Sequence, residues 1–248
     1  MDQIRIDKRA IREELIAKDL YSLQVDLTRQ RGIRIFVMSL LIAALVLTVI
    51  YGTLENPLEY TLSNIGNFFD YRLFFIVWAI ISGFAIQVSI LALFKLEKYQ
   101  PRAKYAFVVL ASIFLVITAL IPALKDLYPF WHWLHTFFAI LHALFMLLSL
   151  VPFVLWVSRE NPRLRRVLQV WLLVIWVGSI IPLVIFGKSG LFELWFFITL
   201  IFFLLYLSLM LFEEKIVKMS IAFLKDEPDL NLAIEKFYVR LDTKTKTK

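Results

Sequence analysis

Six long apolar stretches, each nearly free of charge, leave this chain little choice of surroundings. They cover residues 35–51, 73–94, 105–124, 131–157, 167–186 and 194–212. The hydrocarbon core of a bilayer is about 30 Å thick and takes about 20 helical residues to cross. Backbone N–H and C=O groups in lipid find no water, so a spanning segment must pair them internally. Transmembrane β-strands alternate apolar and polar residues, and these runs do not. The sequence therefore predicts an all-α polytopic membrane protein with six transmembrane helices.

Charge sets the expected orientation. Of the 27 Lys and Arg residues, all but Arg72, Lys125 and Lys188 lie in the N-terminal segment, the two even-numbered loops and the C-terminal tail. Short loops rich in Lys and Arg stay cytoplasmic, so the N and C termini are both expected inside, with the protein in the cytoplasmic membrane. The expected domains are a charged amphipathic cytoplasmic segment (1–31), a six-helix transmembrane domain (32–212) and a cytoplasmic C-terminal tail (213–248). In the first segment Ile16, Leu20, Leu23 and Leu27 make one apolar helical stripe. It suits a helix lying on the membrane surface or docking a protein partner. The tail, with Ile216, Met219, Phe223 and Leu224, offers a second such surface.

Composition excludes several functions. The chain is 60% hydrophobic with a mean hydropathy of +0.77, against roughly 45–50% apolar content in soluble domains. Its net charge of +7 does not point to nucleic acid. The basic residues crowd the span ends, where they orient helices and attract anionic lipid head groups, and no soluble module carries a basic face. Membrane lipids are the expected partners. Cysteine is absent, which removes disulfides, thiolate nucleophiles and thiolate metal sites. The charged stretch before residue 35 leaves the first span, rather than a cleavable signal peptide, to direct insertion. No Asp, Glu, Lys or Arg falls within the six runs, which argues against ion-coupled transport.

Polar chemistry concentrates in two places. The first external loop reads GTLENPLEYTLSNIGNFFDYR over residues 52–72. Asn56-Pro57 favours a turn, Gly66 is placed to take a backbone conformation other residues avoid, and Ser63 or Asn64 is placed to cap a short helix. All three histidines, His132, His135 and His142, fall in FWHWLHTFFAILH. Steps of three and seven at about 100° per residue put them on one helical face. Pro129 fits the first turn of that helix. Pro122, Pro152 and Pro182 mark kinks or ends of spans three, four and five.

The LSNIG stretch after span one resembles the short "S-x-L/I-G" element of an uncharacterised prokaryotic membrane family, domain of unknown function nine-nine-eight, whose layout is DRAM-like. The segment IPALKDLYPFWHWLHTFFA, residues 121–139, is similar to that family's passage from span three into a His-bearing span four. The resemblance implies a fold and a clustering of polar residues, with no reaction attached.

The resulting expectation is an external-facing polar pocket built from loop one and the start of span four. Its ligand is a lipid head group or small amphiphile, with no catalysis and no cofactor assumed. Ser63, Asn64, Asn67, Asp70, Arg72, Lys125, Asp126, His132 and His135 are the expected ligand-binding residues. Two alternatives accompany this reading. One is an accessory subunit of a larger membrane complex. The other is a ceramidase-like lipid hydrolase in which zinc on His132, His135 and His142 activates the attacking water; a nucleophile-plus-base pair is a separate possibility, for which Ser63 is the external candidate if His132 or His135 lies within its reach.

Overall fold

The computed structural model describes residues 2–99 and 102–226, with side chains described for 21, 22, 24–99, 105–218 and 221. The elements are α1 (Asp2–Gly52), α2 (Leu62–Phe68), α3 (Arg72–Leu96), α4 (Arg102–Leu120), α5 (Pro129–Glu160), α6 (Arg165–Phe186) and α7 (Gly190–Asp226), with no strand among the described residues. Five of these helices carry stretches long and apolar enough to cross a membrane. Those stretches are Gln24–Gly52, Arg72–Leu96, Pro129–Glu160, Arg165–Phe186 and Gly190–Lys218, while Tyr105–Leu120 is a shorter apolar helix. The architecture is that of a polytopic helical membrane protein.

The chain divides into two compact units, one Ile33–Leu211 and the other made of Met1–Gly32 with Phe212–Lys248. In the second unit Lys218 pairs with Glu214 at 2.6 Å, one helical turn apart. Of the apolar stripe expected there, Ile16, Leu20 and Leu23 lie outside the described side chains, as do Met219, Phe223 and Leu224 of the tail.

The unit Ile33–Leu211 packs α3 on α4, α4 on α5 and α5 on α6. Trp78 of α3 ties in two further helices. Its indole Nε1–H donates to Thr48 Oγ1 of α1 at 3.0 Å. Its ring stacks on Phe75 and Tyr51 and meets the edge of Phe197 of α7, with centroids 4.9 Å apart. A second aromatic knot, Phe94, Tyr99, Phe153 and Trp156, joins the C-terminal end of α3 to α5. The outward face of α6 is apolar too. Val170, Leu173, Val177, Ile181 and Val184 are all exposed, the last at 76%. Such a stripe is a liability in water and at home in lipid.

Local boundaries depart from the sequence reading at three points. Helix α4 ends at Leu120 rather than 124, because Pro122 has no N–H and holds Ile121 away from helical geometry. The cap of α2 is Thr61, whose Oγ1 accepts the Asn64 N–H at 3.1 Å; Ser63 and Asn64 sit inside the helix. The left-handed backbone near loop one belongs to Asp70, with φ 63°, and not to Gly66. Gly66 is required for closeness instead: a Cβ there would lie 2.7 Å from Phe75 Cβ and 3.0 Å from the Tyr51 hydroxyl. Pro129 opens α5 as expected, while Pro152 and Pro182 end neither α5 nor α6, which run on through them.

Candidate functional site

Loop one does not stand off the bundle. It folds inward as α2, burying Leu62, Ser63, Ile65 and Gly66. Long-range hydrogen bonds hold it. The N–H of Leu62, first residue of α2 and so without an intrahelical partner, donates to Glu193 Oε2 of α7 at 2.7 Å. The C=O of the same residue accepts from the Tyr51 hydroxyl of α1 at 2.6 Å. Leu191 N–H donates to the Pro57 carbonyl at 2.9 Å, which draws the start of α7 against the loop. Gly190 allows this approach, since a Cβ there would lie 2.3 Å from the Tyr60 carbonyl oxygen.

Beneath α2 lies a cavity of about 280 Å³, walled by residues of α2, α3, α4, α5, α6 and α7. Most of its lining is apolar. Phe75, Trp78, Phe197, Phe196 and Trp176 form a continuous arc of rings, with successive centroids 4.9–5.6 Å apart. Polar groups enter at few points: Ser63, His135, His142, Trp176 and Glu193, beside Thr118 and Ser179. Thr118 and Ser179 spend their hydroxyls on their own helices, donating to Phe114 O and Ile175 O. Ser63 Oγ pairs with Thr61 Oγ1 at 3.0 Å.

The three histidines share one device. Each Nδ1 bonds a backbone carbonyl of α4 or the turn after it: His132 to Ala123 at 2.9 Å, His135 to Ile121 at 3.1 Å and His142 to Ala111 at 2.8 Å. A carbonyl oxygen only accepts, so Nδ1 carries the proton in each ring. That leaves Nε2 of neutral His142 as a bare acceptor, and it is buried in the cavity wall with no partner. The Trp176 Nε1–H is likewise buried and unpartnered. Neither atom has accessible surface, and Ser82, Ser189 and Ser208 also carry buried unpartnered hydroxyls among the described residues, although buried polar atoms are nearly always bonded.

Of the residues expected at the site, the structure brings Ser63 and His135 to the cavity. The others lie elsewhere. Arg72 links two elements, donating from Nη1 to Asn67 Oδ1 at 2.9 Å and from Nη2 to the Leu120 carbonyl at 2.6 Å. Asn67 Nδ2 also donates to Ser63 O. Asp70, Lys125 and Asp126 are exposed, while Asn64 and His132 are part-buried outside the cavity lining. Among the described residues no three His, Asp or Glu side chains converge as a metal would need. Glu193 and Trp176 were missed. The signal for Glu193 was there: it is the only acidic residue between Glu160 and Glu213. The apolar run of span six starts at 194, four residues after α7 begins at Gly190, and so leaves this carboxylate outside. For Trp176 the sequence holds no signal, since six other Trp residues look the same.

Fold and site together define a helical membrane protein with a largely apolar internal cavity bearing a few polar groups. No protein-family model, curated protein or solved structure matches the chain.

Proposed function

We propose that this protein is a six-span membrane protein that binds a small amphiphile in its internal cavity. Helix α4 supplies the sixth span: its 19 residues extend about 28 Å at 1.5 Å each, close to the hydrocarbon thickness of about 30 Å. The distribution of Lys and Arg then puts both termini on the cytoplasmic side, and α2 with its cavity toward the external face. The cavity has the make-up of a ligand site, apolar walls with a few converging polar groups, just below the usual range of roughly 300–1,000 Å³. Ile180 and Leu183, exposed residues of α6, line it, apolar surface suited to an aliphatic tail.

The observation that carries this reading is the make-up of the cavity, an apolar wall into which Ser63, His135, His142, Trp176 and Glu193 come from four different helices. Native mass spectrometry of the gently extracted protein tests it. The expected result is a retained adduct of lipid-like mass on the wild-type chain, lost when Ala139→Phe fills the cavity, which Ala139 of α5 lines. A bare wild-type chain, or an adduct indifferent to Ala139→Phe, counts against it.

A further inference from the structure

We infer that the start of α6 carries a site for a phospholipid of net negative charge. The phosphate sits at Arg166, and one acyl chain lies in the groove that leads from it along the helix. The groove shares no lining residue with the internal cavity, so the site goes beyond the reading of that cavity.

Two independent observations meet there. The first is a groove of about 370 Å³ lined by Arg166, Val167, Val170, Trp171 and Val174. Residues 166, 170 and 174 recur at intervals of four, so the groove follows the helix axis for about 12 Å. Its walls are apolar except at Arg166. Val167 and Val170 are exposed, and α6 is itself long and apolar enough to cross a membrane, so this surface meets hydrocarbon. Trp171 is braced by Phe203 and Tyr206 of α7, with ring centroids 5.9 and 6.2 Å away, which makes its ring a fixed wall. The second observation is uncompensated charge. Residues 158–166 hold Arg159, Arg163, Arg165 and Arg166 against one carboxylate, Glu160. All five are exposed, and among the described residues none of them forms an ion pair. Basic residues alone suffice to orient a span; a groove ending at one of them also gives a chain a place to lie. An acyl chain is as apolar as the bilayer around it, so selectivity comes from the head. The guanidinium fork pairs two phosphate oxygens at once. A zwitterionic head brings its own cation to a cluster that is already positive and gains less. A partner helix would need a carboxylate at this depth, where a lipid phosphate is present already.

The test titrates the full chain, in a neutral detergent, with dioleoylphosphatidylglycerol and dioleoylphosphatidylcholine, which differ only in the head. Native mass spectrometry gives the Kd of the first lipid bound. The expected result is a preference for phosphatidylglycerol of roughly tenfold. Arg165→Gln with Arg166→Gln is expected to remove most of it. Lys95→Gln with Lys98→Gln takes the same charge from exposed residues of the other basic loop and is expected to keep it. Val170→Trp, a change at an exposed position that fills the groove, is expected to weaken the first phosphatidylglycerol several-fold. Ala139→Phe, in the cavity, is expected to leave the preference intact. Equal binding of the two lipids overturns the site, and so does a preference that the lysine pair removes as fully as the arginine pair. A preference lost in Ala139→Phe but kept in Val170→Trp also overturns it and moves the lipid to the cavity. A dimer that forms through this face and excludes phosphatidylglycerol overturns it in favour of a second copy of the chain.

Discussion

Glu193 accepts the backbone N–H of Leu62, a residue 131 positions earlier in the chain, at 2.7 Å. One carboxylate thereby satisfies the first N–H of α2, fastens the first loop to α7 and contributes to the wall of the cavity. A negative group at a helix N-terminus also meets the positive end of the helix dipole. The structural and ligand-facing roles of this side chain are separable by substitution. Glu193→Ala leaves the Leu62 N–H unpaired and is expected to destabilise the protein by about 1–3 kcal/mol. Glu193→Gln keeps an acceptor and loses less. Thermal unfolding in detergent checks the order; equal losses would mean the Leu62 contact contributes nothing.

Close approach governs the contact between loop one and α7. Gly190→Ala forces a Cβ against the Tyr60 carbonyl, a backbone atom with little freedom to yield. It is expected to lower the unfolding temperature and to open loop one to protease. Gly32→Ala is the internal control, because nothing lies within 4 Å of its added methyl. There the change within helix α1 is expected to be neutral or stabilising, by up to about 1 kcal/mol.

Trp78 and Thr48 form an interhelical hydrogen bond at 3.0 Å between fully buried side chains. Thr48→Val preserves shape and removes the acceptor. Interhelical polar contacts in membranes measure about 0.6 kcal/mol on average and about 1.7 at most, so a coupling in that range is expected from a double-mutant cycle with Trp78→Phe. Zero coupling would show that Trp78 holds α1 through its ring contacts alone.

The histidine contacts carry a spectroscopic consequence. All three rings are expected as the Nδ1–H tautomer, and the nitrogen-15 shifts of the side chains report it. An Nε2–H tautomer at His142 would mean that its Nδ1 does not donate to the Ala111 carbonyl.

Topology is directly measurable because the chain contains no cysteine. Single cysteines at the exposed positions Lys95 and Arg163 are expected to react only from the cytoplasmic side, and those at Asp126 and Lys188 only from outside. Reaction of Lys95→Cys and Asp126→Cys from the same side would remove α4 from the set of spans.

Much of this architecture was legible in the residues. Hydrophobic runs, Pro129 and the basic residues at span ends each act through local geometry or through partition into lipid, and these are properties a linear chain displays. The helical face shared by His132, His135 and His142 follows from their spacing in the same way. What those rings bond does not. Each takes a carbonyl from another helix or turn, and only packing decides which carbonyl lies within reach.

The sequence by itself determined that the chain is helical, that it belongs in a membrane and where polar residues cluster, since these depend on period and transfer free energy. Tertiary structure alone decided which polar residues face a common cavity. Arg72 and Asn67, expected at the ligand, were drawn into holding α2, α3 and α4 together. Glu193 and Trp176, from distant stretches, came to the cavity with Ser63, His135 and His142. Contacts between residues far apart in sequence depend on how helices pack, and helix packing in lipid is set by shape rather than by hydrophobic pattern.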